Sequence, residues 1–165
     1  MVKRTTILRE LDGTDRRILA LVQRDASLPQ AEIAKQVGLS TAAVHERVKK
    51  LEAAGVIRRW TAVVDPAAVG AQVTAFVEVF FEHPRFEAGF IERAKKLDPV
   101  QECHHITGEF SLLLKVRVAD MPALQTLLLE QLSGHEGVRQ TRTVMVLSTV
   151  KEDTFVETTA KGDER

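Results

Sequence analysis

The chain has 165 residues, 44% hydrophobic and 28% charged, the balance of a globular protein and not of a disordered one. No run approaches 18 uninterrupted apolar residues, so no membrane span is indicated, and the lone Cys103 has no partner for an internal disulfide. The 23 basic and 23 acidic residues cancel unevenly: residues 1–60 hold 12 Lys and Arg against 7 Asp and Glu, residues 61–165 hold 11 against 16. A basic first part joined to an acidic second part suggests a polyanion-binding module attached to a region with another task.

Residues 1–11 carry Lys3, Arg4 and Arg9 and read as a flexible arm. They contain no apolar signal core, which with the single cysteine points to a cytoplasmic protein. Asp12 is placed to cap a helix that runs to about Arg24 and buries Ile18, Leu21 and Val22. Pro29 to Gly55 then reads as two helices around a tight turn. Gly38 ends the first, since a residue without Cβ takes the left-handed conformation at no cost. Ser40 caps the second. Val44, Val48 and Leu51 share one face of that second helix; Ala42, His45, Glu46 and Lys49 share the opposite one. Three helices with this turn match a helix-turn-helix domain over residues 12–60, with the last helix suited to a DNA major groove.

Val56, Ile57, Trp60, Val63 and Val64 favour a strand, with Arg58 and Arg59 able to touch phosphate. Pro66 and Gly70 mark a linker over 61–70. From there the expected order is strand 72–81, helix 85–97, strand 100–106, strand 110–118, helix 121–132 and strand 138–150. That is the ferredoxin-like βαββαβ pattern, an antiparallel sheet with both helices on one face, occupying residues 71–154. The uncovered face calls for a partner subunit. Residues 155–165 read as a polar, charged tail, loose at its end. The fold class is therefore α+β in two domains.

The stretches LDGTDRRIL, LSTAAVHERVKKLEAAGVI, CHHITGEFSLLLKV and GVRQTRTVMVL, in this order, resemble the leucine-responsive/asparagine regulator (Lrp/AsnC) family of transcription factors, most closely its leucine-responsive branch. The resemblance spans about residues 10–155. It implies a winged helix-turn-helix that binds double-stranded DNA and a C-terminal domain that senses a small effector, an amino acid. It also implies a homo-oligomer, a dimer at least, with octamers common in the family. On the matching positions, Ser40, Thr41, Ala42, His45, Arg47, Lys49, Lys50 and Arg58 are the expected DNA-binding residues, with Arg47 and Lys49 holding phosphate. The effector loop matches at Gly108, Glu109, Phe110 and Ser111, with His104 and His105 before it and Thr141, Val144, Met145 and Val146 on the last strand. Ser111 stands where the family often has an acidic residue, which removes a charge-assisted partner for an α-amino group.

Cys103, His104 and His105 invite a metal reading, but neighbours on a strand point to opposite faces and cannot converge on one ion. No metal and no cofactor are expected, and no catalytic constellation is present. Two alternatives stand beside the regulator. One is an enzyme resembling the sirohaem decarboxylases, which share this two-domain architecture. The other is an effector-independent architectural DNA-binding protein.

Overall fold

In this computed structural model residues 11–158 are described, and they form two compact units. The first comprises residues 11–62 together with 152–158, the second Val63–Lys151. The expected arm falls, but for Leu11, outside the described residues, as does the end of the tail.

The first unit holds three helices: α1 (Gly13–Arg24), α2 (Gln30–Val37) and α3 (Thr41–Ala53). Asp12 caps α1 by accepting the Asp15 N–H at 2.7 Å. Gly38 closes α2 at φ 71°, where any side chain would be strained. Ser40 caps α3 by accepting the Ala43 N–H at 3.2 Å. The apolar stripes meet in one core that includes Ile18, Leu19, Ile33, Val44, Val48 and Leu51. Leu21, expected inside, is only half-buried; Leu19 takes its place.

One expectation around this unit fails. No strand forms over 56–64. Its residues have strand propensity, but a strand also needs a partner to bond to, and none pairs with them among the described residues. Residues 155–158, the described part of the polar tail, return to α1. The Gln23 side-chain amide accepts the Val156 N–H at 2.9 Å and donates to the Val156 carbonyl at 3.0 Å. Arg16 donates to the Thr158 carbonyl at 2.8 Å, and the Thr158 hydroxyl donates to the Arg16 carbonyl at 3.1 Å.

The second unit is a four-stranded antiparallel sheet of β1 (Val73–Phe81), β2 (Val100–His105), β3 (Leu112–Val118) and β4 (Val138–Met145), in the order β2-β3-β1-β4. Helices α4 (Glu87–Ala94) and α5 (Met121–Thr126) follow β1 and β3. Alternation along β1 and β3 is strict. Ala75, Val77, Val79 and Phe81 are buried with Leu112, Leu114, Val116 and Val118 against Phe90, Leu124, Leu127 and Leu132. The Phe90 ring meets Phe81 edge-on at 5.2 Å. This is the ferredoxin-like arrangement expected.

Boundaries differ in physical ways. A short 3₁₀ turn, Pro84–Phe86, precedes α4. The chain after α5 continues as a wider π turn over Leu127–Leu132, and Arg93 of α4 donates to the Gln131 carbonyl there at 3.1 Å. β4 stops at Met145, five residues early. Before β4, Gly137 has φ 81°, and a Cβ there would lie 2.1 Å from Cγ of Phe86. Only glycine lets that ring pack on the turn.

Candidate DNA-reading surface and effector site

Helix α3 turns Val44, Val48 and Leu51 inward, so its other positions are fixed. Thr41, Ala42, His45, Glu46, Lys49 and Lys50 are exposed, and Ser40 is exposed at the turn before it. This short side-chain, imidazole and ammonium surface has the composition of a major-groove reader. Nδ1 of His45 lies 3.2 Å from the side-chain oxygen of Gln30, the first residue of α2. Gln30 is a residue that sequence reasoning missed, although a Gln just after a proline at a helix start was a signal for it.

Arg47 is placed differently from its neighbours. One guanidinium nitrogen lies 2.7 Å from a carboxylate oxygen of Asp12 and 2.7 Å from one of Asp15, at the start of α1. The Asp15 side chain is 2% exposed. These bonds hold the Asp12 carboxyl below its ordinary range, chiefly through the Asp15 N–H and next through Arg47. They raise Arg47 above its own ordinary value, Asp12 contributing most. Arg47 was expected to hold phosphate; the structure engages it inside the protein, where it ties α3 to α1. Arg58 is exposed in the segment after α3, outside any strand. The indole N–H of Trp60 in the same segment donates to Glu52.

In the second unit the register decides which candidates meet. The loop 106–111 joins β2 to β3, with Gly108 at φ 119°. The Ile106 N–H donates to the Ser111 carbonyl at 3.1 Å, and the Ser111 N–H donates to the Val79 carbonyl at 3.0 Å. Thr141 pairs with Val79 on the far side of β1 from the loop, on the helix-covered face; its hydroxyl is 3.2 Å from that of Ser133. Gly108, Glu109, Phe110 and Ser111 share the loop, with Val79 between it and Thr141. Val144, Met145 and Val146 are farther off. The Val146 N–H bonds to the Thr74 carbonyl, five residues along β1 from Val79 and so about 16 Å away. Val144 lies on the uncovered face and Met145 on the other.

His104 and His105 part as alternation requires. Nε2 of His104 is 3.0 Å from Glu102, which Lys115 also approaches at 3.4 Å on the uncovered face. These contacts, His104 foremost, lower the Glu102 carboxyl from its ordinary value. Nε2 of His105 is 3.5 Å from Glu87 of α4, on the helix side. Burial pushes the Cys103 thiol up. Among the described residues no three His, Cys, Asp or Glu side chains gather as metal ligands, and no helix is long and apolar enough to cross a membrane. Sequence reasoning missed Glu78 as part of the site, and singled out Arg142 only under the enzyme alternative, where with His104 and His105 it could bind a polycarboxylate. Glu78 and Arg142 face each other across β1 and β4 and form an ion pair, and the Arg142 guanidinium lies 4.9 Å from the Phe110 ring centroid.

A capped helix with an exposed polar face in one unit, and in the other an antiparallel sheet with a structured loop at the end of a hairpin, fit the class of two-domain DNA-binding regulators that carry a ligand-binding domain. Residues 11–58 match the winged helix-turn-helix DNA-binding family and residues 74–156 the Lrp/AsnC ligand binding domain. The leucine-responsive regulatory proteins of Klebsiella pneumoniae and Escherichia coli K12 are each 40% identical over 146 residues, 87% of this chain and 89% of theirs. Among solved structures, the L-Met complex of a transcriptional regulator from Neisseria meningitidis superposes with a TM-score of 0.82 at 32% identity, covering 87% of this chain and 94% of that one. AsnC of Escherichia coli superposes with a TM-score of 0.81 at 30% identity, covering 87% and 97%. The chain belongs to the Lrp/AsnC family of transcriptional regulators.

Proposed function

We propose that this regulator is a homo-oligomer, a dimer at least, whose assembly and DNA binding respond to an amino acid received at the loop 106–111. The observation that carries the reading is the loop itself. It is pinned to Val79 and Ile106 by its backbone, yet lies at the end of the β2–β3 hairpin where a small ligand can reach Glu109 and Ser111. Leucine and methionine are the first effectors to try, because related proteins are named for leucine and solved with L-Met. With Ser111 in place of a carboxylate, recognition of the α-amino group falls to Glu109 and to backbone carbonyls. A protein of this kind works in the cytoplasm, with the DNA, and no reaction is assigned to it.

Helix α3 enters the major groove. Ser40, Thr41, Ala42 and His45 reach base edges, and Lys49, Lys50 and Arg58 hold phosphate. Two-fold symmetry makes the preferred site pseudo-palindromic, and joining several weak heads gains affinity by avidity. The effector acts by binding one assembly better than another, which shifts the population.

Melting temperature and sedimentation are to be measured with each of the twenty amino acids. The expected result is that one or a few raise the melting temperature and change the assembly. At a hundred times its dissociation constant an effector adds about 2.7 kcal/mol. No response to any of them sinks the effector reading. For the DNA surface, His45→Ala is expected to relax sequence preference. Lys49→Ala is expected to weaken binding to all sequences alike and to reduce the salt slope by about one. Two mutants that bind like the parent would show that α3 does not read DNA.

A further inference from the structure

Phe110 presents a puzzle within the loop. It is 5% exposed, yet it belongs to neither of the two hydrophobic cores. Its ring carries the guanidinium of Arg142, with 4.9 Å from guanidinium carbon to centroid. Arg142 does not reach the ring by chance. Glu78 stands directly opposite it in the β1–β4 register, and the Glu78 carboxylate accepts the Nε–H of Arg142. The Glu78 side chain is 15% exposed, so the anchoring carboxylate is fixed, while the Arg142 side chain is 59% exposed and reaches out from it. Glu78 and, more weakly, Glu109 hold the guanidinium in its charged form. A guanidinium can give one edge to a carboxylate and one face to a ring at once; an ammonium cannot.

We infer that Arg142 is the positioning residue of the effector loop: oriented by Glu78, it clamps Phe110 and holds the loop 106–111 in the shape that receives the ligand. The inference rests on the effector reading above. It adds a link between loop and assembly. Glu78 and Arg142 both lie on the uncovered face of the sheet, the face assigned to a second copy. Loosening the loop therefore disturbs that face, and covering that face stiffens the loop.

The test uses hydrogen exchange on the full chain. In Arg142→Gln the two hydrogen-bonded amides of the loop, Ile106 and Ser111, are expected to exchange about tenfold faster, while the core amides of Val77 and Leu114 keep the parent rate. Glu78→Gln is expected to act in the same direction. Arg142→Lys is expected not to restore protection, since charge alone is not the clamp. An independent probe places a lone indole in the loop by Phe110→Trp with Trp60→Phe. Its emission is expected to move to the red, and its quenching by acrylamide to rise severalfold, on adding Arg142→Gln. Unchanged loop exchange, full rescue by lysine, or acceleration of core and loop alike would each overturn the clamp. The response to amino acids is measured on the same variants. A clamp confirmed in a protein that no amino acid shifts would leave the clamp standing and remove the effector reading. A parent response lost about tenfold in Arg142→Gln supports both.

Discussion

Arg47 and Lys49 are two positions apart on one helix and do opposite things. Position 47 lies three residues after Val44 and four before Leu51, beside the buried stripe, so its long stem crosses the edge of the core and its head finds Asp12 and Asp15. Position 49 points away. Removing the head takes from the 2%-exposed Asp15 and from Asp12 the guanidinium bonds that join α3 to α1. Arg47→Met is therefore expected to cost about 2–3 kcal/mol in urea unfolding, a bond to a charged group at a half-covered site. If DNA affinity falls while stability is untouched, Arg47 is a phosphate contact after all. Asp12 adds a pH dependence whose sign is fixed. Its folded pKa lies below its unfolded value of about 3.9, so its contribution is complete above that value and is lost as pH falls through the folded one. The helix-turn-helix unit is expected to lose stability below about pH 4, and Asp12→Asn to flatten that acid limb. The sequence placed Arg47 beside the DNA-facing side of α3 and read it as a phosphate contact; its acidic partners, 32 and 35 residues away, were not legible.

At the scale of elements, apolar spacing was enough for the helices, and β-branched and aromatic composition between turn residues for the four sheet strands. Both misjudged whatever depends on a partner element. Val56 to Val64 has the composition of a strand but no edge beside it. The end of α5 keeps Leu124, Leu127 and Leu128 at helical spacing whether the turn is α or π, so spacing could not distinguish them. The grip of the polar C-terminal segment could not be read because it is made of single hydrogen bonds, without an apolar stripe. Four of them join residues 156 and 158 to Gln23 and Arg16, and the Arg24 guanidinium lies 5.6 Å from the Phe155 ring centroid. At about 0.5–1.5 kcal/mol each, less the entropy of ordering the segment, they are worth about 2 kcal/mol. Ending the chain at Lys151 is expected to lower the unfolding free energy of the helix-turn-helix unit by that amount and to leave the sheet unit unchanged. A truncated protein with both transitions intact would show that the segment only rests on α1.

At the scale of the whole molecule the unresolved matter in the sheet unit is its uncovered face. Along β1 the residues that alternate with the buried ones are Thr74, Phe76, Glu78 and Phe80. Leu113 and Val144 flank them on β3 and β4, and Val144 is 50% exposed. Two phenylalanines, a leucine and a valine, interleaved with the Glu78–Arg142 and Glu102–Lys115 pairs, give this face the mixed apolar and charged composition of a subunit interface. A carboxylate at Phe76 has Lys115 opposite it and is solvated and paired in the free subunit, but on association it must be desolvated in place of an apolar ring, so it acts on assembly and spares the fold. Phe76→Glu is therefore expected to shift sedimentation toward the monomer, with the melting of the helix-turn-helix unit unchanged. Its affinity for a two-half-site DNA should fall at least tenfold while that for a single half-site holds, because only the avidity is lost. If the variant sediments as the parent does, a second copy does not cover this face. The clamp at Phe110 would then act on the loop alone, and effector binding would have to reach the DNA-reading helices by another surface.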